Sequence, residues 1–284
     1  MKSDEAKGLI ERGVQELHEA LATGKSDRLK KYLATMARFP SYSFNNQILI
    51  YLQAPDSTRV LGFHAWKKLG RSVKKGEKGI GIIAPMVGRR KKDDHEKEQS
   101  DDVETSSGQK TIRGFKVVHV FDISQTEGEP LPEFAQATGD PGSNITAVET
   151  LIRSFGIELV YEELDGGADG VSRKGTIAIA PRLEPAKRLL TLVHELAHEL
   201  LHSDVERRKT TTKTIRETEA EAVSFVVCSA LGIECVEHSS DYIQLYSGDT
   251  DVLAQSLDAI QKTSAQILAG IQESSTVKVT EVIA

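Results

Sequence analysis

The sequence has little cysteine and no long apolar run, and both shortages narrow the class of protein. Only Cys228 and Cys235 occur among 284 residues, with no second pair to complete a four-cysteine zinc site. This usage favours free thiols in a reducing compartment over a disulfide. No segment approaches the roughly 20 apolar residues that span a bilayer, and the first residues lack the apolar core of a signal peptide. We therefore expect a cytoplasmic protein with no membrane partner.

Net positive charge is also lacking, because the formal charge is −6 and the predicted pI is about 5.8. The charge is distributed unevenly, however. Between Arg59 and Lys92 there are eleven Lys or Arg residues and a single acid, Glu77, which gives a local balance of +10. The rest of the chain is strongly acidic. Such a basic front segment predicts an anionic partner for the first half.

The first half reads as a mixed α/β domain. Three- and four-residue apolar spacing predicts a helical region over 5–37, interrupted at 24–26, and a helix over 45–53. Strands are expected over 60–63, 80–84 and 115–123, with Pro85 ending the second. Residues 87–113 are almost devoid of apolar side chains and predict a mobile polar insertion.

The second half has its own pattern of helices and strands. The Gly-, Pro- and Asn-containing residues 136–144 predict a linker, so domains are expected at 1–135 and 145–284. In the second domain we expect strands over 157–162 and 175–180 and helices over 145–155, 184–202, 214–231 and 249–274. The fold class that follows is α+β in two domains.

The helix predicted over 184–202 contains the motif HELAH. His194 and His198 are four residues apart, so both imidazoles project from one helix face toward a single ion. Glu195 lies beside the first ligand, where a carboxylate can take a proton from water and return it to a leaving amine. This predicts one Zn²⁺ ion, with Mn²⁺ or another divalent metal as the alternative, and Glu195 as the catalytic base.

A third ligand has to come from another element, and the predicted helix over 214–231 offers acids in an apolar setting. Glu217 and Glu221 are four residues apart and share a face, whereas Glu219 points elsewhere. We assign Glu217 as the ligand and Glu221 to a supporting hydrogen bond with a ligand histidine. The reverse assignment of these two acids stays open.

Basic and aromatic residues are interleaved in the first half, a combination typical of surfaces that bind single-stranded nucleic acid. The alternative is that the aromatic residues belong to a core and the KKGEKG run is a solvated turn. The candidate DNA-binding residues are Tyr42, Asn45, Asn46, Gln53, Trp66, Lys67, Lys68, Arg71, Lys74, Lys75 and Lys78.

Three blocks of the first half, YSFNNQ, GF..W.KLGR.VKKGEKGI and FKVVHVFDISQTEG, resemble the N-terminal domain of ArdC-type antirestriction proteins. That resemblance implies a single-stranded DNA-binding domain over 1–135. In the second half, HELAH followed by ExxxE resembles the gluzincin arrangement of ImmA/IrrE-type metallopeptidases. It implies a zincin-like domain with a mixed sheet above the HELAH helix.

The zincin resemblance also implies an edge strand that binds the substrate backbone, for which GTIAIAP is the candidate. It further implies a donor that stabilises the transition state, for which His238, Tyr242 and Tyr246 are available.

Together these features predict an antirestriction-type protein that binds single-stranded DNA and has a zinc metallopeptidase site for a protein or peptide substrate. We expect it to protect incoming mobile DNA, to cleave DNA-associated proteins, or both. The alternatives are a regulatory protease that cuts a repressor and a DNA-binding protein with a non-catalytic metal site.

Overall fold

The computed structural model describes residues 1–24, 27–89, 110–129, 141–203, 205–233 and 250–281. The first half begins with three helices and continues with strands and a fourth helix. Its helices are α1 (Ser3–Ala22), α2 (Asp27–Arg38), α3 (Phe44–Gln53) and α4 (Phe63–Lys68). Its strands are β1 (Val60–Gly62), β2 (Arg71–Val73), β3 (Ile80–Arg89), β4 (Lys110–Asp122) and β5 (Thr126–Gly128). The first half is therefore the mixture of helices and strands expected from the sequence.

The strands of the first half form two antiparallel sheets, one in the order β1-β4-β3 and one that pairs β2 with β5. The expectation that Pro85 ends its strand was wrong, because β3 pairs with β4 as far as Arg89. Since β3 is an edge strand among the described strands, a residue without an N–H is tolerated there. The expected insertion 87–113 is also strand at both ends, and residues 90–109 lie outside the described residues.

The second half has five helices and three strands in its described part. The helices are α5 (Pro141–Ser154), α6 (Pro185–His202), α7 (Val205–Thr210), α8 (Lys213–Ala230) and α9 (Thr250–Glu281). The strands are β6 (Glu158–Tyr161), β7 (Gly170–Ser172) and β8 (Thr176–Ile179). Helix α5 overlaps the predicted linker 136–144 at 141–144, since Pro141 starts the helix, a position that suits proline. Residues 136–140 lie outside the described residues.

The sheet of the second half has the order β6-β8-β7, with β6 parallel and β7 antiparallel to β8. Helix α6 packs against β7 and β8 and against the helices α5 and α8. Pro185 occupies the first turn of α6, and Thr212 caps α8 by accepting a hydrogen bond from Ile215 N at 3.1 Å. These contacts fix α6 and α8 side by side beneath the sheet.

One hydrophobic core runs through both halves. It includes Leu17 of α1 and Tyr32 of α2 together with Val148, Leu192 and Val226 of the second half, all with at most 1% exposure. A smaller cluster lies under the first sheet around Ile50 and Val120. Packing is thus continuous between the first helices and the second half, and the domain limits drawn from the sequence stay a prediction. Among the described helices, none has the length and apolar character to cross a bilayer.

Candidate functional site

The two histidines of HELAH lie on one face of α6, as the four-residue spacing requires. Their Nε2 atoms are 3.1 Å apart, and both side chains are partly exposed to a cleft. Apolar neighbours on α6, such as Leu192 and Leu196, are completely buried. The motif therefore presents two imidazole nitrogens to the cleft from a helix that is fixed by its packing.

Glu217 approaches these nitrogens from α8. Its Oε2 atom is 3.6 Å from His194 Nε2 and 3.3 Å from His198 Nε2. A tetrahedral zinc ion with bonds of about 2.1 Å separates its ligand atoms by about 3.4 Å, so the three donors fit a divalent cation. Hydrogen bonds with the two histidines hold the pKa of Glu217 well below its usual value. The structure thus brings His194, His198 and Glu217 together as a three-donor cluster.

The other two acids of α8 have different surroundings. Glu221 is half-buried one turn beyond Glu217 and is not part of the three-donor cluster. Glu219 is fully buried and accepts a hydrogen bond from Arg207 Nη2 at 2.7 Å. Sequence reasoning missed Arg207, because this partner of Glu219 lies on α7, across a turn from α8.

The side chain of Glu195, on α6, is buried against β7 and has 7% exposure. Burial raises the pKa of Glu195, while the two histidines and the Ser172 N–H lower it and Glu217 raises it again. The net shift is upward, the direction expected for a carboxylate that accepts a proton during catalysis.

A cleft of about 500 Å³ opens over the three-donor cluster. One wall is β7 and the β7–β8 turn, the floor is α6, and the opposite wall is formed by α7 and the first turns of α8. Glu199, also on α6, accepts hydrogen bonds from Ser172 Oγ at 2.5 Å and Gly175 N at 2.9 Å. This carboxylate holds the β7 wall against the helix that carries the histidines.

The edge strand of this sheet is β7 and not GTIAIAP, which was the sequence-based candidate. GTIAIAP contains β8, and β8 is paired on both sides. Arg173 N donates to Thr176 O and Ala180 N donates to Asp169 O, so alternate residues of β7 point toward β8. The backbone groups of Gly170 and Ser172 therefore point away from β8 on the cleft side, where the Ser172 N–H is hydrogen-bonded to the Glu195 carboxylate. The candidates for a donor that stabilises the transition state, His238, Tyr242 and Tyr246, lie outside the described residues.

Several candidate DNA-binding residues of the first half have structural roles instead. Trp66 is completely buried, and its Nε1 donates to Phe121 O at 2.9 Å, so the ring cannot stack on a base. The Asn46 and Gln53 amides each pair with a backbone N–H and C=O on β3, at Ile83 and Gly81 respectively. Because β3 is an edge strand, these amides satisfy its open side.

The remaining candidates are divided between surface and core. Asn45, Lys67, Lys68, Lys75 and Lys78 are exposed. Lys74 is exposed but donates to Ser124 O, and Arg71 is half-buried and donates to Thr126, Gly128 and Glu129. Tyr42 is half-buried, and its hydroxyl donates to Val60 O at 3.1 Å.

Two aromatic residues that the sequence did not place in the DNA-binding set are exposed. Phe63 is 49% exposed and Phe115 is 60% exposed. Phe63 and Lys67 are four residues apart on α4 and so share a face. The pattern of interleaved aromatic and basic residues could not distinguish Phe63 from Trp66, because only the position of β4 decides which ring it covers.

Comparison with known proteins assigns a family model to each half. Residues 8–121 match the N-terminal domain of anti-restriction factor ArdC, and residues 152–233 match Peptidase_M78, an IrrE N-terminal-like domain. The crystal structure of metal-free antirestriction ArdC from the R388 plasmid matches 94% of this chain and 98% of its own, with a TM-score of 0.54 and 19% identity.

The chain has an ArdC-type two-domain architecture. The Mn(II)-bound structure of R388 ArdC is also similar, with a TM-score of 0.53 and 18% identity over 94% of this chain and 97% of that one. The M78-type half has a metallopeptidase-like fold, and its three-donor cluster indicates a divalent metal site.

A relative from Bacillus anthracis, the uncharacterized protein pXO2-81, is 27% identical over 243 residues. The match includes 73% of this chain and 41% of that relative, so the chain spans less than half of the relative's length.

Proposed function

We propose that this protein is an antirestriction-type factor that binds single-stranded DNA with its ArdC-type first half and hydrolyses peptide bonds at a zinc site in its second half. The observation that carries the proposal is the meeting of His194, His198 and Glu217 beside a buried Glu195 and an open edge strand. Mn²⁺ or another divalent ion is the alternative occupant of the three-donor cluster. The substrate is a protein or peptide, and proteins bound to DNA are the class that both halves could reach together.

Each group of the site has a defined task in this reaction. A bound zinc ion supplies Lewis acidity at the open end of the cluster. Glu195 takes a proton from the attacking water and gives it to the leaving amine, and its raised pKa favours this exchange. The outward backbone groups of Gly170 and the outward carbonyl of Ser172 hold the substrate in an extended form. Glu199 keeps β7 at a fixed distance from Glu195.

The peptidase proposal is tested by incubating wild type and Glu195→Gln, each loaded with zinc, with proteins bound to single-stranded DNA. We expect cleavage by wild type and a loss of at least about 100-fold in Glu195→Gln, because general acid–base catalysis contributes about 10²–10⁴-fold. Glu206→Gln is the matched control, since Glu206 is 78% exposed on α7. Equal activity of wild type and Glu195→Gln would leave only a binding protein with a non-catalytic metal. Cleavage of a repressor without any need for DNA would favour the regulatory protease.

Exposed cations and one exposed ring of the first half support the DNA-binding proposal. Phe63 and Lys67 share a face of α4, and Lys75 and Lys78 lie in the turn between β2 and β3. An exposed ring beside cations can stack on a base while the cations contact phosphates. Trp66 does not contact the ligand in this proposal. It holds α4, which carries Phe63 and Lys67, against β4.

DNA binding is tested by measuring the affinity of Phe63→Ala and of Lys67→Glu with Lys75→Glu for an oligothymidylate at several salt concentrations. Phe63→Ala should lose about 1–3 kcal/mol of binding free energy, the contribution of one stacked base. The double lysine variant should bind more weakly, and its affinity should depend less on salt concentration. Lys31→Glu, on the exposed side of α2, is the control. Unchanged affinity in both variants would rule out this surface.

A further inference from the structure

The second half is acidic, yet its cations gather around one cleft. Residues 141–284 contain 13 Lys and Arg residues against 22 Asp and Glu residues. Five of these cations line the cleft over the three-donor cluster: Arg173, Lys174, Arg208, Lys213 and Arg216. The acids that line it are Glu195, Glu199 and Glu217, which the site already uses. The cleft therefore has a basic rim in an otherwise acidic half.

Three of these cations are available to a ligand. Arg173 pairs with Glu162 at 2.9 Å, and the guanidinium of Arg216 donates to Thr211 O at 2.5 Å. Lys174, Arg208 and Lys213 are exposed, and their side chains have no hydrogen bond or ion pair in the part of the chain that the structure describes. We call these three residues the rim cations.

The rim cations all lie at one end of the cleft. At one end of β7, Gly170 lies next to Glu195 and Thr191 of α6. In the turn that follows β7, Gly175 N donates a hydrogen bond to Glu199, which is nearer the C-terminal end of α6. At that same end, His202 Nε2 is 3.1 Å from Arg216 O, which places the first turns of α8 there. Lys174 thus approaches this end from the β7–β8 turn, and Arg208 and Lys213 approach it from α7 and α8. The charge lies to one side of the metal cluster instead of surrounding it.

Lys174 occupies its position against its own backbone preference. Its φ is 47°, in the left-handed region, and it is followed by Gly175 at φ 93° in a two-residue turn closed by Arg173 N donating to Thr176 O. Such turns favour Asn or Gly at the first central position. A lysine there costs stability, and strained residues of this kind concentrate at functional sites. The turn chemistry alone does not account for a lysine.

We propose that the rim cations bind acidic side chains of the substrate, so that this site selects an extended peptide with Asp or Glu residues on one side of the scissile bond. This inference rests on the proposed peptidase function and names its substrate class. An extended peptide added to β7 continues past the metal cluster toward the β7–β8 turn. Its side chains at that end lie between Lys174 on one wall and Arg208 and Lys213 on the other.

The cleft fits a peptide better than it fits single-stranded DNA. Sequence-tolerant DNA binding relies on aromatic side chains that stack on bases. Among the described residues that line the cleft, none is Phe, Tyr or Trp. The outward backbone groups of Gly170 and the outward carbonyl of Ser172 are instead suited to a peptide backbone. The two most exposed aromatic residues in the described part of the chain, Phe63 and Phe115, belong to the first half.

The test measures binding without turnover, with zinc-loaded Glu195→Gln and a short fluorescein-labelled peptide that has glutamates on one side of an apolar centre. A second peptide has the glutamates on the other side, and a third has glutamines in their place. We expect fluorescence anisotropy to show about tenfold tighter binding of one glutamate peptide than of the glutamine peptide, from about two- to fivefold per charge pair. Equal binding of all three peptides would overturn the proposal.

Charge reversal then assigns the effect to the rim cations. Lys213→Glu and Arg208→Glu are each made in the Glu195→Gln background. Each should weaken binding of the preferred glutamate peptide about fivefold or more and leave binding of the glutamine peptide unchanged. Lys209→Glu is the matched control, because Lys209 is on the same helix as Arg208 but does not line the cleft. A loss in Lys209→Glu as large as in Arg208→Glu would mean that only the overall charge matters, and the proposal would fail.

Lys174→Asn separates ligand binding from folding. Asparagine suits the left-handed turn, so the Tm should stay the same or rise while affinity for the glutamate peptide falls about two- to fivefold. Retained affinity in this variant would exclude Lys174 from the site.

Failure of the proposed function is distinguishable from failure of this inference. If wild type cleaves no protein but Glu195→Gln still prefers the glutamate peptide, the peptidase proposal fails and the acidic-ligand site stands. If an oligothymidylate displaces the peptide, and Lys213→Glu abolishes that displacement, the rim cations serve DNA and the inference is wrong.

Discussion

A methyl group added at Gly170 would lie 2.9 Å from both Cγ and Oε1 of Glu195. The same carbon would be 2.5 Å from Cγ2 of Thr191. These distances are shorter than van der Waals contacts, so β7 lies directly on the proposed catalytic carboxylate. Glycine is required at position 170 for steric reasons, because α6 side chains occupy the space that a larger residue would need.

Gly170→Ala should therefore displace either β7 or the Glu195 side chain. A shift of about 1 Å in a catalytic group can cost about 100-fold in rate, so we expect kcat to fall by that order while zinc affinity is retained. The measurements are steady-state kinetics on a cleaved protein and zinc titration. Gly62→Ala is the control, since no atom lies within 4 Å of its added carbon. Full activity in Gly170→Ala would show that the strand can move without consequence.

Glu199 should contribute to stability through the β7–β8 turn. Its carboxylate is buried and accepts from Ser172 Oγ and Gly175 N. Glu199→Ala leaves both donors without their acceptor and should lower the free energy of unfolding by about 1–3 kcal/mol. Glu199→Gln keeps one carbonyl oxygen as an acceptor, so its free energy of unfolding should fall by less than that of Glu199→Ala. Urea denaturation gives these values, and hydrogen exchange should show weaker protection of the β7–β8 amides. An exposed control, Glu206→Ala, should change stability by less than about 0.5 kcal/mol.

The ion pair between Arg207 and Glu219 should respond asymmetrically to substitution. Glu219 is completely buried, whereas the Arg207 side chain is 26% exposed. His202 lies 3.6 Å from Glu219, but burial, with smaller contributions from nearby charges, lowers the pKa of His202 to about 3, so it is neutral near pH 7. Arg207→Met thus leaves a buried charge without its partner and should cost about 3–5 kcal/mol.

Glu219→Met should cost less than Arg207→Met, because a partly exposed guanidinium can turn toward water. The double variant should be more stable than Arg207→Met alone, since it no longer buries a charge. A double-mutant cycle by urea denaturation measures the coupling. Additive losses would contradict this explanation.

Asp122 should make the first half sensitive to acid. Its Oδ1 accepts from Thr58 N at 2.8 Å and Arg59 N at 3.0 Å, and its Oδ2 accepts from Ser124 N and Oγ. Burial alone raises the pKa of Asp122, but the hydrogen bonds from Ser124, Arg59 and Thr58 outweigh it and leave a net lowering. Because the folded pKa is below the unfolded one, the stabilisation is present above about pH 4 and lost as pH falls further.

Asp122→Asn tests this dependence. The amide keeps one acceptor oxygen, so the variant should lose about 1–3 kcal/mol at pH 7. The difference from wild type should shrink below about pH 4, where Asp122 becomes protonated in the unfolded wild-type chain while the folded state still holds it charged. Urea denaturation at several pH values measures it, with Asp56→Asn, an exposed acid, as the control. A difference that is independent of pH would contradict the assignment of charge to these hydrogen bonds.

Local periodicity predicted the parts of the site that lie on single helices. The four-residue spacing of His194 and His198 fixes their common face wherever α6 packs, and the spacing of the acids on α8 limited the third ligand to Glu217 or Glu221. The strand β7 was missed because three residues, one of them glycine, have no periodicity to detect, and the strand exists only by pairing with β8. GTIAIAP was chosen as the edge for the same reason.

The amino-acid sequence by itself determined the helices other than α4 and α7, the HELAH face, the uneven charge and the ArdC-type order of the two halves, because each depends on residues near one another in the chain. Only the tertiary structure decided that Glu217 meets the two histidines, that β7 covers Glu195, and that Trp66 is buried while Phe63 is exposed. Those outcomes depend on which distant elements pack together. The spacing within one segment carries no information about that packing.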